Sequence, residues 1–563
     1  MPDPVRTPRL LALAAAILLA VCAFAFSDLV VAFIRSDAGG MFDDAYMFVR
    51  YADHLRAGDG LVWNVGEEPA FGPTSLLYVP IVALARGAIA LPMERLLPLV
   101  SAALGLLALI VIVAAGITLA RPPSPLRALW LAAWVVPAVL APAAFRYHLL
   151  TGMDTTLSLL TNALLLWALA AMVKRPDRTR LLAAAGAAYL TFLARPDNAL
   201  YALLCPLLAV LLLVPHDRRR AALWNCLAPL AALFVADTLV KLWQLGTVLP
   251  LSHYVKRAGF YEGYANPGAW NPVAYVQTFL VAGLPFAIVL LAGAARRHMR
   301  WLIVCLLPVA ATFAYYFSVT QIMGYEARFY YPALPFVAIP AAAVMDEVIG
   351  RLVRPRMPWL RFAAVVFLIA LLLPGLTGLA RWYGHAVLAP RFDEARYPLV
   401  QTTSEPAQPK ASIPEQTPQE GIATPAEPPR LGAWRTRVLM AEIAARLPEG
   451  SVVAASEIGY LGARAPRVTI IDLSGLNDAR IAREGVRVTG LIEREVDLVW
   501  MPHTDYRGIR RDILSDPLFA ERFELFPGAF DYGLAIRRDS RRRNQILDAV
   551  RALGCFRKSP VLH

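Results

Sequence analysis

The 563-residue sequence is poor in charged residues and in cysteine. Asp, Glu, Lys and Arg together make up 17% of it, while 58% is hydrophobic; an ordinary soluble domain has about 25% charged residues. Its five cysteines show neither a disulfide framework nor a metal-ligand spacing such as CxxC. These shortages argue against a soluble globular protein and against a site built on cysteine.

The sequence contains long apolar runs, and several of them reach the roughly 20 residues needed to cross a bilayer. The net charge of +13 lies in short basic clusters between these runs, which is typical of membrane orientation rather than of nucleic-acid binding. Placing every cluster in the cytoplasm predicts about eleven crossings, with the N-terminus inside and the C-terminus outside. Residues 1–26 resemble a signal peptide, but they lack a convincing cleavage site and are interpreted as part of the first helix. The predicted crossings are 10–31, 97–119, 128–145, 153–172, 181–194, 199–214, 221–243, 273–294, 300–318, 330–349 and 359–379.

Three regions follow from this threading. Residues 1–380 form a transmembrane domain with a long outer loop, 32–96, in which the run 76–91 is too short and too interrupted by Pro, Arg and Gly to cross. Residues 381–430 form a partly disordered linker, because 401–430 is dominated by Pro, Gln, Glu, Ser and Thr. Residues 431–563 return to a soluble α/β pattern, with a helix over Trp434–Leu447 and strands at Val452–Ala455, Val468–Leu473 and Val496–Trp500.

The first outer loop carries two adjacent carboxylates, Asp43 and Asp44, at the start of a predicted helix over 42–56. Such a pair is suited to a general base or to holding a divalent cation, and equally to capping an interfacial helix. Helical spacing places Asp43 with Arg50 and His54 on a polar stripe suited to an exposed cleft. Asp44 falls on the neighbouring, more apolar face. We therefore expect Asp43 to be the base and Asp44 its support.

Cationic and polar side chains occupy later loops on the same side: Arg195, His253, Tyr254, Lys256 and Arg328. Each alone is more typical of an interfacial anchor, but their common side favours a site. Transfer of a sugar from a polyprenyl phosphate expels a phosphate monoester with a second pKa of about 6, so no strong general acid is required. One base and cations for the phosphate suffice, and this side of the chain offers both.

Several spaced motifs resemble the GT-C class of glycosyltransferases, and are most similar to the terminal arabinofuranosyltransferases of the mycobacterial cell wall. The motifs are Asp43-Asp-Ala-Tyr46, Arg50-Tyr51, Gly60-Leu-Val-Trp-Asn64, Gly66-Glu67, Phe71-Gly-Pro-Thr-Ser75, Thr151-Gly-Met-Asp-Thr155, Ala194-Arg-Pro-Asp197, Leu245-Gly-Thr-Val-Leu-Pro-Leu-Ser-His-Tyr-Val-Lys256, Arg328-Phe-Tyr-Tyr-Pro332 and Ile471-Asp-Leu-Ser-Gly-Leu-Asn-Asp478.

The resemblance implies a GT-C-like polytopic helical fold with a C-terminal extracytoplasmic α/β domain, in the bacterial inner membrane with that domain in the periplasm. It implies an inverting transferase that moves a pentose such as arabinofuranose from a polyprenyl-phosphate sugar to a glycan, lipid or protein of the envelope. The first-loop acids would act as base, Lys256, Arg328, His253, Tyr254 and Arg195 would bind the phosphate, and Arg50, Tyr46 and His54 would complete the site. No cofactor is required, and a divalent cation is compatible with the site. Two alternatives stay open: a transporter or flippase of a lipid-linked sugar, against which the sequence shows no matching halves, and a membrane scaffold that presents the C-terminal domain.

Overall fold

The structure, a computed structural model, describes most of the chain outside its two ends and one long internal segment. The described residues are 42–120, 125–140, 142–257, 272–293, 298–319, 321, 324–353, 433–503, 506–526 and 532–552. The predicted crossings 10–31 and 359–379 and the predicted linker 381–430 lie outside them.

The N-terminal part is helical. Its helices are α1 Asp43–Ala57, α2 Tyr78–Ala88, α3 Met93–Ala120, α4 Pro125–Leu140, α5 Ala143–Leu150, α6 Thr155–Lys174, α7 Arg178–Ala194, α8 Ala199–Leu212, α9 His216–Leu245, α10 Leu251–Arg257, α11 Pro272–Gly293, α12 Met299–Tyr316 and α13 Leu334–Val353. Among the described residues, six helices are long and apolar enough to cross a membrane. The chain is thus a polytopic helical membrane protein, as its composition predicts.

The predicted crossings on described residues all coincide with helices, with one difference. The expected span 128–145 is divided into α4 and α5 around Pro142, whose extended backbone (φ −57°, ψ 129°) caps the start of α5. Proline lacks the N–H that would continue a helical ladder. The run 76–91 contains only the 11-residue α2, about 16 Å long at 1.5 Å per residue. That length is too short to span a bilayer.

Small and polar side chains join the long helices. An added Cβ at Gly116 of α3 would lie 2.9 Å from the Cβ of Ala342 in α13, so the two backbones approach closely there. Ser101 Oγ donates to the His148 carbonyl at 2.9 Å, and Asn162 Nδ2 donates to the Pro332 carbonyl at 2.8 Å. Close backbone approach and buried polar contacts of this kind replace the hydrophobic effect inside a bilayer.

The C-terminal part is a small α/β domain around a five-stranded sheet of order β2-β1-β3-β5-β4. Strands β1 and β2 are parallel, as are β1 and β3, while β5 runs antiparallel to β3 and β4. Its elements are α14 Ala433–Arg446, β1 Val452–Ala455, α15 Gly459–Arg464, β2 Thr469–Asp472, α16 Ala479–Glu484, α17 Val488–Glu493, β3 Leu498–Trp500, α18 Arg507–Ser515, α19 Pro517–Arg522, β4 Phe523–Phe526, β5 Leu534–Arg537 and α20 Arg543–Ala552.

Among the described residues, the α/β domain shares its hydrophobic core with α1. Tyr46 and Tyr51 of α1 belong to the same buried cluster as Ile443, Ile470 and Trp500 of the domain. After β1, Gly459 contacts Asp43 of α1; after β2, Asn477 contacts Tyr51 of α1 and Gly72 in the segment that follows it. The first loop therefore lies between the membrane helices and the sheet, and contacts both.

Candidate active site

The two adjacent acids of α1 face different surroundings. Asp43 Oδ2 accepts the backbone N–H of Gly459 at 2.7 Å, and Oδ1 accepts that of Tyr460 at 3.0 Å. Burial raises the pKa of Asp43 to about 6, although the charge of Arg437 opposes the shift. Both oxygens are therefore engaged with the first turn of α15, away from solvent.

The prediction of an exposed polar stripe on α1 is wrong. Asp43, Arg50 and His54 do share a face, but they are 5%, 2% and 5% exposed. The α/β domain and the Gly-rich turn cover that face and supply backbone partners. His54 Nδ1, for example, donates to the Val62 carbonyl at 2.9 Å, and burial lowers the pKa of this imidazole. Tyr46 is also buried, with its ring edge-on to Tyr460 at 4.9 Å.

Asp44 has the more open position. Its side chain is 32% exposed, and Oδ2 lies 3.8 Å from Nη1 of Arg328. The helical spacing of α1 predicted that Asp44 packs against apolar neighbours. The carboxylate instead faces Arg328 in a later loop. Of the two acids, Asp44 is therefore the more accessible.

Arg328 is a buried cation with free hydrogen-bonding capacity. Its side chain is 6% exposed. Among the residues that the structure describes, Nε and Nη1 have no hydrogen-bond partner. The turn before it is strained, because Glu326 and Ala327 adopt left-handed backbone with φ of 50° and 57°. Such conformations cost about 1–3 kcal/mol each and concentrate at functional sites.

Lys256, near the end of α10, lies beside Arg328. Its Nζ is 5.2 Å from the ring centroid of Phe329. Burial and the neighbouring charge of Arg328 lower its pKa to about 8. Two neighbouring cations buried away from water repel each other, and an anionic ligand bound between them would relieve that repulsion.

Arg195 is equally buried but fully paired. Nε and Nη2 bind both oxygens of Asp197 at 2.9 and 2.6 Å, and Nη1 lies 3.3 Å from Oδ1 of Asp154. Tyr316 donates its hydroxyl to Asp197 at 2.8 Å. Arg195 therefore has little capacity left for a phosphate, and it supports the site rather than lining it.

The ring of Phe329 is the centre of this cluster. The Cζ of Arg195, the Nζ of Lys256 and the Cζ of Arg328 lie 5.3, 5.2 and 5.5 Å from its centroid. Each cation–π contact is worth about 0.5–2 kcal/mol, more where water is excluded. The sequence analysis quoted Phe329 within its motif without assigning it a role. Its position directly after Arg328 was the available signal.

His253 and Tyr254 lie one turn before Lys256 and contact other groups. Tyr254 is half-exposed, and its hydroxyl is 2.9 Å from Oγ1 of Thr247. His253 Nδ1 is 3.3 Å from the hydroxyl of Tyr315. Within the described part of the chain, no three His, Cys, Asp or Glu side chains are grouped in a way that could hold a metal ion.

Comparison with known proteins shows the fold. Residues 430–542 match a family model described as a domain of unknown function (DUF8728), and no curated protein matches the sequence. The chain is similar in structure to ArnT from Cupriavidus metallidurans, whose crystal structure was determined bound to undecaprenyl phosphate. The TM-score is 0.52 at 13% identity, over 92% of this chain and 98% of ArnT. The predicted GT-C-like fold, with membrane helices followed by an α/β domain, is thereby confirmed.

Proposed function

We propose that the protein is an inverting glycosyltransferase that uses a polyprenyl-phosphate sugar on the outer face of the inner membrane. The observation that carries this is the 3.8 Å distance between a partly exposed carboxylate, Asp44, and the buried guanidinium of Arg328, whose Nε and Nη1 have no hydrogen-bond partner among the described residues. A base next to an anion-binding cation is what this displacement requires. The fold shared with ArnT, a protein solved with undecaprenyl phosphate bound, supports a polyprenyl-phosphate ligand.

The residues divide the reaction between them. Asp44 takes the proton of an acceptor hydroxyl as that oxygen forms a bond to the anomeric carbon from the face opposite the phosphate. The anomeric C–O bond to phosphate breaks, and polyprenyl phosphate leaves with the electron pair. Arg328 and Lys256 hold the phosphate and stabilise its growing charge, which a forked guanidinium does well. Arg195, fixed by Asp154 and Asp197, keeps the cluster around Phe329 in place.

This assignment exchanges the roles first expected for the two acids. Asp43 has both oxygens on backbone amides and is buried, so we assign it to docking and Asp44 to proton transfer. The proposed sugar is a pentose such as arabinofuranose, moved to an envelope glycan, glycolipid or protein. The motif resemblance to arabinofuranosyltransferases supports that choice.

The test is transfer by the purified full-length chain in lipid nanodiscs, with a panel of polyprenyl-phosphoryl pentoses and hexoses as sugar donors. Asp44→Asn keeps the shape of the side chain and removes the base, so turnover should fall about 10²–10⁴-fold. Asp59, an exposed carboxylate just after the C-terminus of α1, is the matched control, and Asp59→Asn should retain turnover. If Asp44→Asn turns over as fast as the wild type, Asp44 is not the base. If no sugar donor in the panel releases polyprenyl phosphate, the transferase proposal fails.

A further inference from the structure

Helix α15 of the α/β domain is held at both ends by charged side chains of α1. Asp43 binds the amides of its first turn, and Arg50 binds carbonyls at its last turn. The two side chains are seven residues apart, about 10 Å along a helix axis, which matches the length of the six-residue α15. The carboxylate meets the positive end of the α15 dipole and the guanidinium meets its negative end.

Arg50 is fully used in this contact. Nη1 donates to the carbonyls of Gly462 and Ala465 at 2.8 and 3.2 Å, and Nη2 donates to that of Val468 at 3.0 Å. The remaining bonds, to the Trp63 carbonyl and to Asn64 Oδ1, fix the loop that follows α1. All three guanidinium nitrogens of Arg50 therefore hydrogen-bond either to the loop after α1 or to the α/β domain.

Glycines allow the two helices to approach closely. A Cβ at Gly459 would lie 1.8 Å from the carbonyl oxygen of Asp43, and one at Gly462 would lie 2.9 Å from the Trp63 ring. A second contact repeats the pattern, because a Cβ at Gly72 would lie 2.3 Å from Oδ1 of Asn477. The surfaces of the loop and of the domain thus fit each other over two separate regions.

We infer that the α/β domain is a positioning part of the active site, which fixes the start of α1 through Asp43 and Arg50 and thereby places Asp44 against Arg328. The inference rests on the proposed function, in which Asp44 is the base. Asp44 directly follows Asp43, so any displacement of the first turn of α1 moves its carboxylate. Misplacement of a reacting group by about 1 Å can cost about a hundredfold in rate.

Two full-length variants test this, with amide hydrogen exchange and steady-state kinetics measured on each. Asp43→Asn replaces one acceptor oxygen by an N–H₂ that faces an amide donor. Arg50→Lys keeps the charge but loses the forked donors. We expect faster exchange at Gly459 and Tyr460, and turnover lower by about ten- to a hundredfold. KM for the lipid-linked sugar should stay unchanged, because Arg328 and Lys256 lie on other elements.

Asp53→Asn is the matched control on the same helix. Asp53 pairs with Arg86 of α2 at 2.8 Å and, among the described residues, makes no hydrogen bond or ion pair with the α/β domain. Its variant should keep both the exchange protection and the turnover of the wild type. Should Arg50→Lys fail to fold, Tyr460→Phe offers a milder variant, because it removes a hydroxyl that donates to Glu94 at 2.9 Å and accepts from Arg464 Nε at 3.2 Å and leaves the backbone contacts with Asp43 and Arg50 in place.

The outcomes separate the inference from the proposed function. Lost protection at Gly459 and Tyr460 with wild-type turnover would overturn the inference, because docking would then not position the base. Lost turnover with protection intact would also overturn it, since Asp43 would then act in the chemistry itself. Full turnover by Asp44→Asn, with Asp43→Asn behaving as expected, would refute the assigned base and leave the docking contact standing.

Discussion

Replacement of Arg328 by methionine should abolish function at almost no cost in stability. The guanidinium is 6% exposed, and among the described residues two of its nitrogens have no hydrogen-bond partner. Burying such an ion costs several kcal/mol. The opposing attraction to Asp44 at 3.8 Å is about 4 kcal/mol at an effective dielectric constant of about 20. The two nearly cancel, and sulfur–aromatic contacts of the new methionine with Phe42 and Phe329 replace much of the lost cation–π attraction. Arg328→Met without ligand should therefore unfold within about 1 kcal/mol of the wild type.

With ligand the two proteins should differ strongly. Two charge-assisted hydrogen bonds to phosphate are worth about 1.5–3 kcal/mol each, so Arg328→Met should bind polyprenyl phosphate about 10²–10⁴-fold more weakly. Polyprenyl phosphate at a hundred times its dissociation constant should stabilise the wild type by about 2.7 kcal/mol. The variant should gain almost nothing. Thermal unfolding in detergent, with and without the lipid, measures both effects.

Arg195→Met is the matched comparison. Its guanidinium lies about as close to the Phe329 ring, but its loss leaves the buried carboxylates of Asp154 and Asp197 without their cation. Breaking a buried pair in this way costs about 3–5 kcal/mol, so this variant should be clearly destabilised even without ligand. If the lipid stabilises Arg328→Met as much as the wild type, Arg328 is not a phosphate ligand. If Arg328→Met is instead as unstable as Arg195→Met, Arg328 is a structural residue.

Two further predictions concern charge and topology. The pKa of Lys256 is lowered from its usual 10.5 to about 8, so its charge is present below that pH and is lost above it. Affinity for polyprenyl phosphate should therefore fall between pH 7 and 9 in the wild type but not in Lys256→Arg. An equal fall in both proteins would show that another group titrates. A reporter active only outside the cytoplasm should be active when fused after Gly60, after Tyr264 or near Glu415. It should be inactive after Pro176, Arg219 or Arg354. Activity at Arg219 would refute the predicted membrane topology.

The positions of helices and strands were predicted better than the packing of their faces against other parts of the chain. Strand β1 was predicted at its observed bounds, and β2 and β3 within two residues, because β-branched runs mark buried parallel strands. The strands β4 and β5 were missed. Their segments Phe-Glu-Leu-Phe and Leu-Ala-Ile-Arg are short and carry little alternation.

The candidate site shows the same limit. Helical spacing correctly placed Asp43, Arg50 and His54 on one face, but periodicity does not say what packs against a face. Here the cover is a domain some four hundred residues away in sequence. Similarly, Arg195 and Arg328 were both recognised as cations of the outer loops. Only the three-dimensional positions of Asp154 and Asp197 show which of them is already paired.

The contact between Arg50 and α15 also sets an order of events during synthesis. Arg50 binds a carbonyl 412 residues further along the chain. At about 5–20 residues per second, roughly 20–80 s pass between the translation of α1 and that of its partner. During that interval the carbonyls at the end of α15 that Arg50 binds have not yet been made. The ribosome must therefore translate the chain as far as α15 before α1 can reach its final position.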